Sequence, residues 1–208
     1  FPYTTLFRSL AGLGWIGKNT LLIHPKFGSY LFLGEVLINQ RTHRSPAPLP
    51  NFCGHCTQCL KSCPPQALSP QGQLNSNQCI SYWTLEKKGP HEIPDTEQKK
   101  IHTWIAGCDL CQEVCPFNQK ISRAAANEQI AHALGATALQ TWAELLNESP
   151  EEYKARVRDS ALSRIKYSQS SRNLAIALHN QLEAQATEAS RWQSLIPLLQ
   201  KRLEAEAD

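Results

Sequence analysis

Four thiols stand within eleven residues in "CGHCTQCLKSC", as Cys53, Cys56, Cys59 and Cys63. Four more follow as Cys79, Cys108, Cys111 and Cys115. Thiols can cross-link, bind zinc or hold iron–sulfur clusters, and their spacing helps to separate these uses. The first set reads C-x2-C-x2-C-x3-C, with Pro64 directly behind it. A structural zinc site more often shows two separated C-x2-C pairs. Three cysteines at gaps of two crowd a tetrahedral ion but suit three corners of an iron–sulfur cube. The proline sets the chain direction as it leaves the loop.

This run is the spacing of bacterial two-cluster ferredoxins, in which the cysteine before the proline serves the other cluster. The second set ends in C-x2-C-x3-C with Pro116 behind it. Eight cysteines supply four ligands to each of two 4Fe–4S clusters. Cluster one therefore takes Cys53, Cys56, Cys59 and Cys115, and cluster two takes Cys63, Cys79, Cys108 and Cys111. Cys79 lies far upstream of its companions, so the module carries an insertion, "ISYWTLEKKGPHEIPDTEQKKIHTWIAG", residues 80–107. Its charges and aromatics suit packing or binding. His55 stands between ligands and is read as a bystander, because the cysteines already complete both sets.

The elements that must position these thiols belong to a chain of 208 residues, 41% hydrophobic, long enough for one or two packed domains. No run of about 18 apolar residues marks a membrane span, and no secretory signal is legible. Eight cysteines without such a signal favour metal ligation over disulfides and a cytoplasmic setting. The net charge of +3 does not by itself declare a nucleic-acid binder. Residues 1–9, "FPYTTLFRS", read as translated adapter sequence and are set aside from the fold.

Upstream of the cysteines, Gly12 to Asn19 comes close to G-x-x-x-x-G-K-[ST], but Asn19 stands where a magnesium-binding hydroxyl belongs. The glycines instead suit close approach of the backbone to a flat ligand or to another element, or plain turns. "SYLFLGEVLI", Ser29 to Ile38, reads as a buried strand or core segment.

Five ordered blocks, "AGLGWIGKNT", "GSYLFLGEVLIN", "CGHCTQCLKSCPPQAL", "CISYWTLEKKG" and "GCDLCQEVCPFN", resemble epoxyqueuosine reductase from about Ala11 to Asn118. The resemblance implies a cobalamin-dependent iron–sulfur enzyme that reduces epoxyqueuosine to queuosine at the tRNA wobble position. The protein's part in such chemistry is position, a proton and an electron path. It implies cobalamin contacts at Lys18 and Ser29 and a role beside the cluster for Asp109. Lys18 could equally be a solvated lysine, and Asp109 could cap its own turn. The family's catalytic aspartate falls upstream of "AGLGW", so none of the residues present is assigned as catalytic, and residues 1–208 alone are expected to hold both clusters with little turnover. An electron donor such as flavodoxin or ferredoxin, and a monomeric state, complete the expectation.

Downstream, Ser149, Pro150 and Glu152 form a capping-box signature. Tyr153, Val157, Ala161 and Ile165 then recur every four residues as one apolar stripe. A second helix is expected around Leu174, Ala177 and Leu178. A third is expected through Trp192, Leu195, Ile196, Leu199 and Leu203, kinked by Pro197. Between Tyr153 and Asn180 six positive charges, Lys154, Arg156, Arg158, Arg164, Lys166 and Arg172, face one negative, Asp159, a net of +5. With a tRNA substrate implied, this segment is expected to meet phosphates. Lys87 and Lys88, with Tyr82 and Trp83, are expected to meet unpaired bases, unless Trp83 is core.

The fold class is therefore α+β: the remnant of an α/β cobalamin-binding domain (10–45), a ferredoxin-like two-cluster module (46–123) and a HEAT-like helical region (124–208). A decorated ferredoxin-type electron carrier, a corrinoid reductase of the reductive dehalogenase kind, and a zinc-bound nucleic-acid module are the rival readings. A carrier needs neither the glycine block nor the basic helix, a dehalogenase would normally be exported, and metal content separates the zinc module.

Overall fold

In chain order the elements of the computed structural model are β1 (Trp15–Ile16), β2 (Leu22–Ile23), α1 (Gln58–Ser62), α2 (Asp95–Ile101), α3 (Leu110–Glu113), α4 (Pro116–Gln119), α5 (Ala138–Asn147), α6 (Pro150–Val157), α7 (Tyr167–Ala184) and α8 (Ile196–Glu204). The residues described are 11–40, 46–88, 93–119, 138–184 and 192–204. Residues 1–9, read as adapter sequence, lie outside them. The mix is mostly helical with a small sheet, as an α+β assignment requires. The chain divides into two compact units, 1–76 with 109–124, and 77–108 with 125–208.

In the first unit β1 and β2 pair antiparallel, Trp15 opposite Ile23 and Ile16 opposite Leu22. Gly14 allows this pairing to close, because a Cβ there would stand 2.3 Å from the Ile23 carbonyl oxygen. Gly17 opens the connecting turn and accepts from the Thr20 amide at 2.9 Å. Trp15, Ile23 and Cys115 form the small core, with Cys53 and Phe117 against it. Trp15 meets Phe52 and Phe117 edge to face, at ring-centroid separations of 5.0 and 4.7 Å.

The segment expected as a buried strand, Ser29 to Ile38, forms none. Residues 30–38 carry no regular structure, and Phe32, Val36 and Leu37 are among the most exposed apolar side chains described. Period-2 apolarity becomes a strand only where a neighbouring strand accepts its hydrogen bonds. The described sheet holds β1 and β2 alone.

In the second unit Trp142, Leu146, Leu174, Ala177, Leu178, Trp192 and Leu195 make one core. Ile80, Ile93, Ile101 and Ile176 make another, with Trp83, Trp104 and Cys108 packed against it. The capping box forms: the Ser149 Oγ accepts from the Glu152 amide at 3.2 Å, and the Ser149 amide donates to the Glu152 carboxylate at 2.8 Å. The stripe through Ala161 does not stay on one helix. The α6 helix ends at Val157, Ser160 caps a short 3-10 turn over Ala161–Arg164, and Ala161 is exposed while Ile165 is buried. A Ser at position 160 offers the backbone a competing local bond to Leu162 N, which stops the helix. Pro197 does not kink the last helix either. It sits in the first turn of α8, where its missing N–H costs no ladder bond.

Candidate metal centre

None of the eight cysteines is in a disulfide. Cys53 and Cys56 lie on an irregular turn, and Cys59 on α1. Cys115 follows α3 and precedes α4. The four share one cleft, walled by Ile23, Phe52 and Phe117. Burial pushes the Cys59 thiol above its ordinary value, and the charges of Cys53, Cys56 and Cys115 push it further. The four residues assigned to cluster one are therefore neighbours in space, including Cys115 from the distant loop. Among the described residues, no three Cys, His, Asp or Glu side chains close on one point as a mononuclear ion requires. Soft thiolates gathered in an apolar cleft, without converging on one point, fit the corners of an iron–sulfur cube.

The other four are held as follows. The Cys63 sulfur accepts from the Ala67 amide at 3.3 Å, a bond of the kind that tunes cluster potentials. The Cys111 carbonyl accepts from the Asn19 side chain at 3.3 Å. Cys79 and Cys108 belong to the second unit, where the Cys79 carbonyl accepts from Trp83 N at 3.2 Å and the Cys108 carbonyl from Ser81 Oγ at 3.5 Å. His55 is exposed on its turn.

Lys18 is half-buried and engaged. Its ammonium donates to the Gly54 carbonyl at 2.8 Å and the Cys56 carbonyl at 2.9 Å, inside the first cysteine loop. Asn19, next to it, is buried. The near-match to a phosphate-binding loop thus marks a turn that grips cysteine loops. Ser29 is likewise engaged: its hydroxyl donates to Gln112 Oε1 at 2.9 Å and accepts from Asn118 Nδ2 at 2.8 Å. Asp109 makes no side-chain cap to its helix. Its carboxylate accepts from Gln112 Nε2 at 2.7 Å instead. Gln112 thereby joins Ser29 to Asp109, 80 positions away in the sequence. Sequence reading passed over Gln112 and Asn118, since a lone amide carries no motif. The one available signal was Asn118 directly after the C-P-F turn.

The basic segment is redistributed by the fold. Arg172 is half-buried and donates to the Trp83 carbonyl at 2.9 Å and the Lys87 carbonyl at 3.2 Å, and burial lowers its pKa. It holds the insertion rather than facing a partner. Arg156 makes a two-pronged pair with Glu148, and Arg164 pairs with Glu86 at 2.9 Å. Both acids lie outside the window over which the charge was counted. Lys154 and Lys166 are exposed. Trp83 packs as core, with the Lys87 ammonium 5.9 Å above its ring, so it is not a free stacking platform.

Residues 52–118 match the family model described as a 4Fe-4S double cluster binding domain. The chain is 38% identical over 170 residues to an epoxyqueuosine reductase of Gloeobacter violaceus, covering 81% of this chain and 53% of that protein. It is 42% identical over 171 residues to one from Pseudomonas aeruginosa, covering 82% and 46%. Among solved structures, epoxyqueuosine reductase from Streptococcus thermophilus superposes with a TM-score of 0.73 at 30% identity, covering 95% of this chain and 52% of that one. An epoxyqueuosine reductase crystallised with an epoxyqueuosine-modified tRNA-Tyr stem loop gives 0.68 at 27% identity, covering 95% and 52%. The chain spans about half the length of the curated relatives it matches. Over most of its own length it is similar to epoxyqueuosine reductases, and within that stretch residues 52–118 match the 4Fe-4S double cluster binding domain.

Proposed function

We propose that this chain carries the iron–sulfur part of an epoxyqueuosine reductase acting on tRNA. The convergence of Cys53, Cys56, Cys59 and Cys115 on one apolar cleft supports the reading most directly. Cluster two takes Cys63, Cys79, Cys108 and Cys111, a set carried by the spacing. The reaction removes the epoxide oxygen as water and forms a carbon–carbon double bond, so it consumes two electrons and two protons. Each cluster carries one electron at a time, and two clusters suit such a delivery.

Cobalamin enters from the motif resemblance; when bound, it supplies the reducing centre. The Asp109 residue is exposed and suits a contact to that group. Lys18 and Ser29 are proposed as corrinoid neighbours as well, with their polar groups also held by protein partners. The tRNA is proposed to meet exposed Lys88, Lys154 and Lys166. The helical region is proposed as a HEAT-like unit, the protein as a cytoplasmic monomer, and the electron donor as a flavodoxin or ferredoxin. No described helix is long and apolar enough to cross a membrane.

Anaerobic reconstitution followed by iron and sulfide analysis, EPR and corrinoid titration tests this. About eight irons per chain is expected for two cubes, with a corrinoid bound to the same preparation. Zinc in place of iron overturns the assignment. Full iron with no corrinoid binding leaves the clusters and removes cobalamin from this part of the protein.

A further inference from the structure

The turn between β1 and β2 grips two cysteine loops at once. The Lys18 ammonium holds the carbonyls of Gly54 and Cys56, and the Asn19 amide holds that of Cys111. The grip is built with care. A Cβ on Gly17 would stand 2.5 Å from Ile23 Cδ1 and 2.7 Å from Asn19 Oδ1, so any side chain there would push Ile23 and Asn19 aside. Thr20 takes a left-handed φ of 65°, which costs a branched residue energy. Asn19 Oδ1 also accepts from the Leu21 amide at 3.3 Å, which fixes the direction of its side chain. The cleft lined by the four cluster-one thiols is lined by Lys18 and Asn19 as well.

We propose that the Gly17–Asn19 turn clamps the two cysteine loops together, and that Lys18, held on the cluster-one loop, raises the reduction potential of cluster one more than that of cluster two. The proposal rests on the assignment of Cys53, Cys56, Cys59 and Cys115 to a 4Fe–4S cube. A cube with four thiolates is anionic and gains a further negative charge on taking one electron. A fixed ammonium in a partly desolvated cleft favours the more negative state. Lys18 acts through the cysteine loop whose carbonyls it binds, so it is a positioning and tuning residue.

The experiment is an EPR-monitored redox titration of the reconstituted chain, with Lys18→Met and Lys18→Arg beside wild type. Lys18→Met is expected to move one cluster signal to more negative potential and to move the other less, and Lys18→Arg to restore both. Unchanged potentials in a Lys18→Met protein that keeps its iron, or equal shifts of both signals, overturn the proposal. A purely structural lysine would change iron content without a charge-dependent shift. Amine labelling of wild type, mapped by mass spectrometry, stands independently of whether Lys18→Met folds. Lys18 should be protected in the iron-loaded chain and labelled after iron removal; equal labelling in both overturns the clamp. A wild-type chain that takes up no iron instead sinks the cluster assignment itself, and the clamp with it.

Discussion

The surroundings of Cys59 oppose its ionisation, through burial first and then the Cys53 and Cys56 charges. A raised thiol pKa keeps the proton on at neutral pH, so loading metal must expel it. In the iron-free chain, alkylation at Cys59 should therefore be slow at neutral pH and quicken as the pH rises. Mass-spectrometric mapping of alkylated peptides reads this directly; fast alkylation of Cys59 at neutral pH counts against its burial in the cleft. The ligand set itself is checked by Cys115→Ser. That variant should lose about half of the iron of a two-cube protein, as should Cys59→Ser, while the remaining EPR signal persists. Had Cys115 belonged to the other set, the two variants would silence different signals.

At the scale of elements, α7 does more than fill a core. Its Asn173 side chain donates to the Thr84 and Ile105 carbonyls, both at 2.8 Å. Asn180 donates to Gln98 and His102 carbonyls, also at 2.8 Å, and Gln169 to the Lys87 carbonyl at 2.9 Å. These amides satisfy an insertion with little ladder of its own, whose carbonyls would otherwise be buried without donors. Asn173→Ala should cost roughly 2–4 kcal/mol, since it leaves two acceptors unsatisfied, measured by denaturant unfolding. A change under half a kilocalorie would show that water replaces the amide. The capping box on α6 is a smaller device: Ser149→Ala should cost about 1 kcal/mol. The hydrogen bonds from Ser149 hold the Glu152 carboxyl below its usual range. Its stabilisation is present above the unfolded pKa and lost as pH falls through the depressed folded one. Glu152→Gln should therefore flatten the acid limb of the stability curve, most visibly below about pH 4.

For the whole molecule, the two units differ in what holds them. The second unit has apolar cores around α5, α7 and α8, and Arg202 adds a buried bond to Ser171 Oγ at 2.7 Å while stacking 4.0 Å over Tyr167. Among the described residues the first has a smaller core cluster, Trp15, Ile23 and Cys115. Such a unit leans on its metal for folding energy. Removing iron should raise amide exchange over residues 51–63 and 108–119 while α7 stays protected. Uniform exchange throughout would mean the metal is not structural. Basic residues also separate at this scale. Arg172→Gln should lower stability, because its guanidinium holds buried carbonyls. Lys166→Gln should leave stability unchanged and weaken stem-loop binding with a shallower salt dependence.

Thiol number, spacing and proline placement were enough to read the double-cluster domain, because ligand geometry is written in short gaps. The capping box and the α7 core were legible for the same reason: both are local or strictly periodic. Charge counting failed where partners came from elsewhere, as Glu148, Glu86 and the insertion carbonyls took up three arginines. The apparent strand at 29–38 failed because pairing needs a neighbour that no window contains. Lys18, Ser29 and Asp109 stood out in sequence by type and place alone. Only the tertiary structure turned Lys18 onto a cysteine loop and joined Ser29 to Asp109 through Gln112, since the hydrogen bond between Ser29 and Gln112, 83 positions apart, depends on the path of the chain, not on its letters.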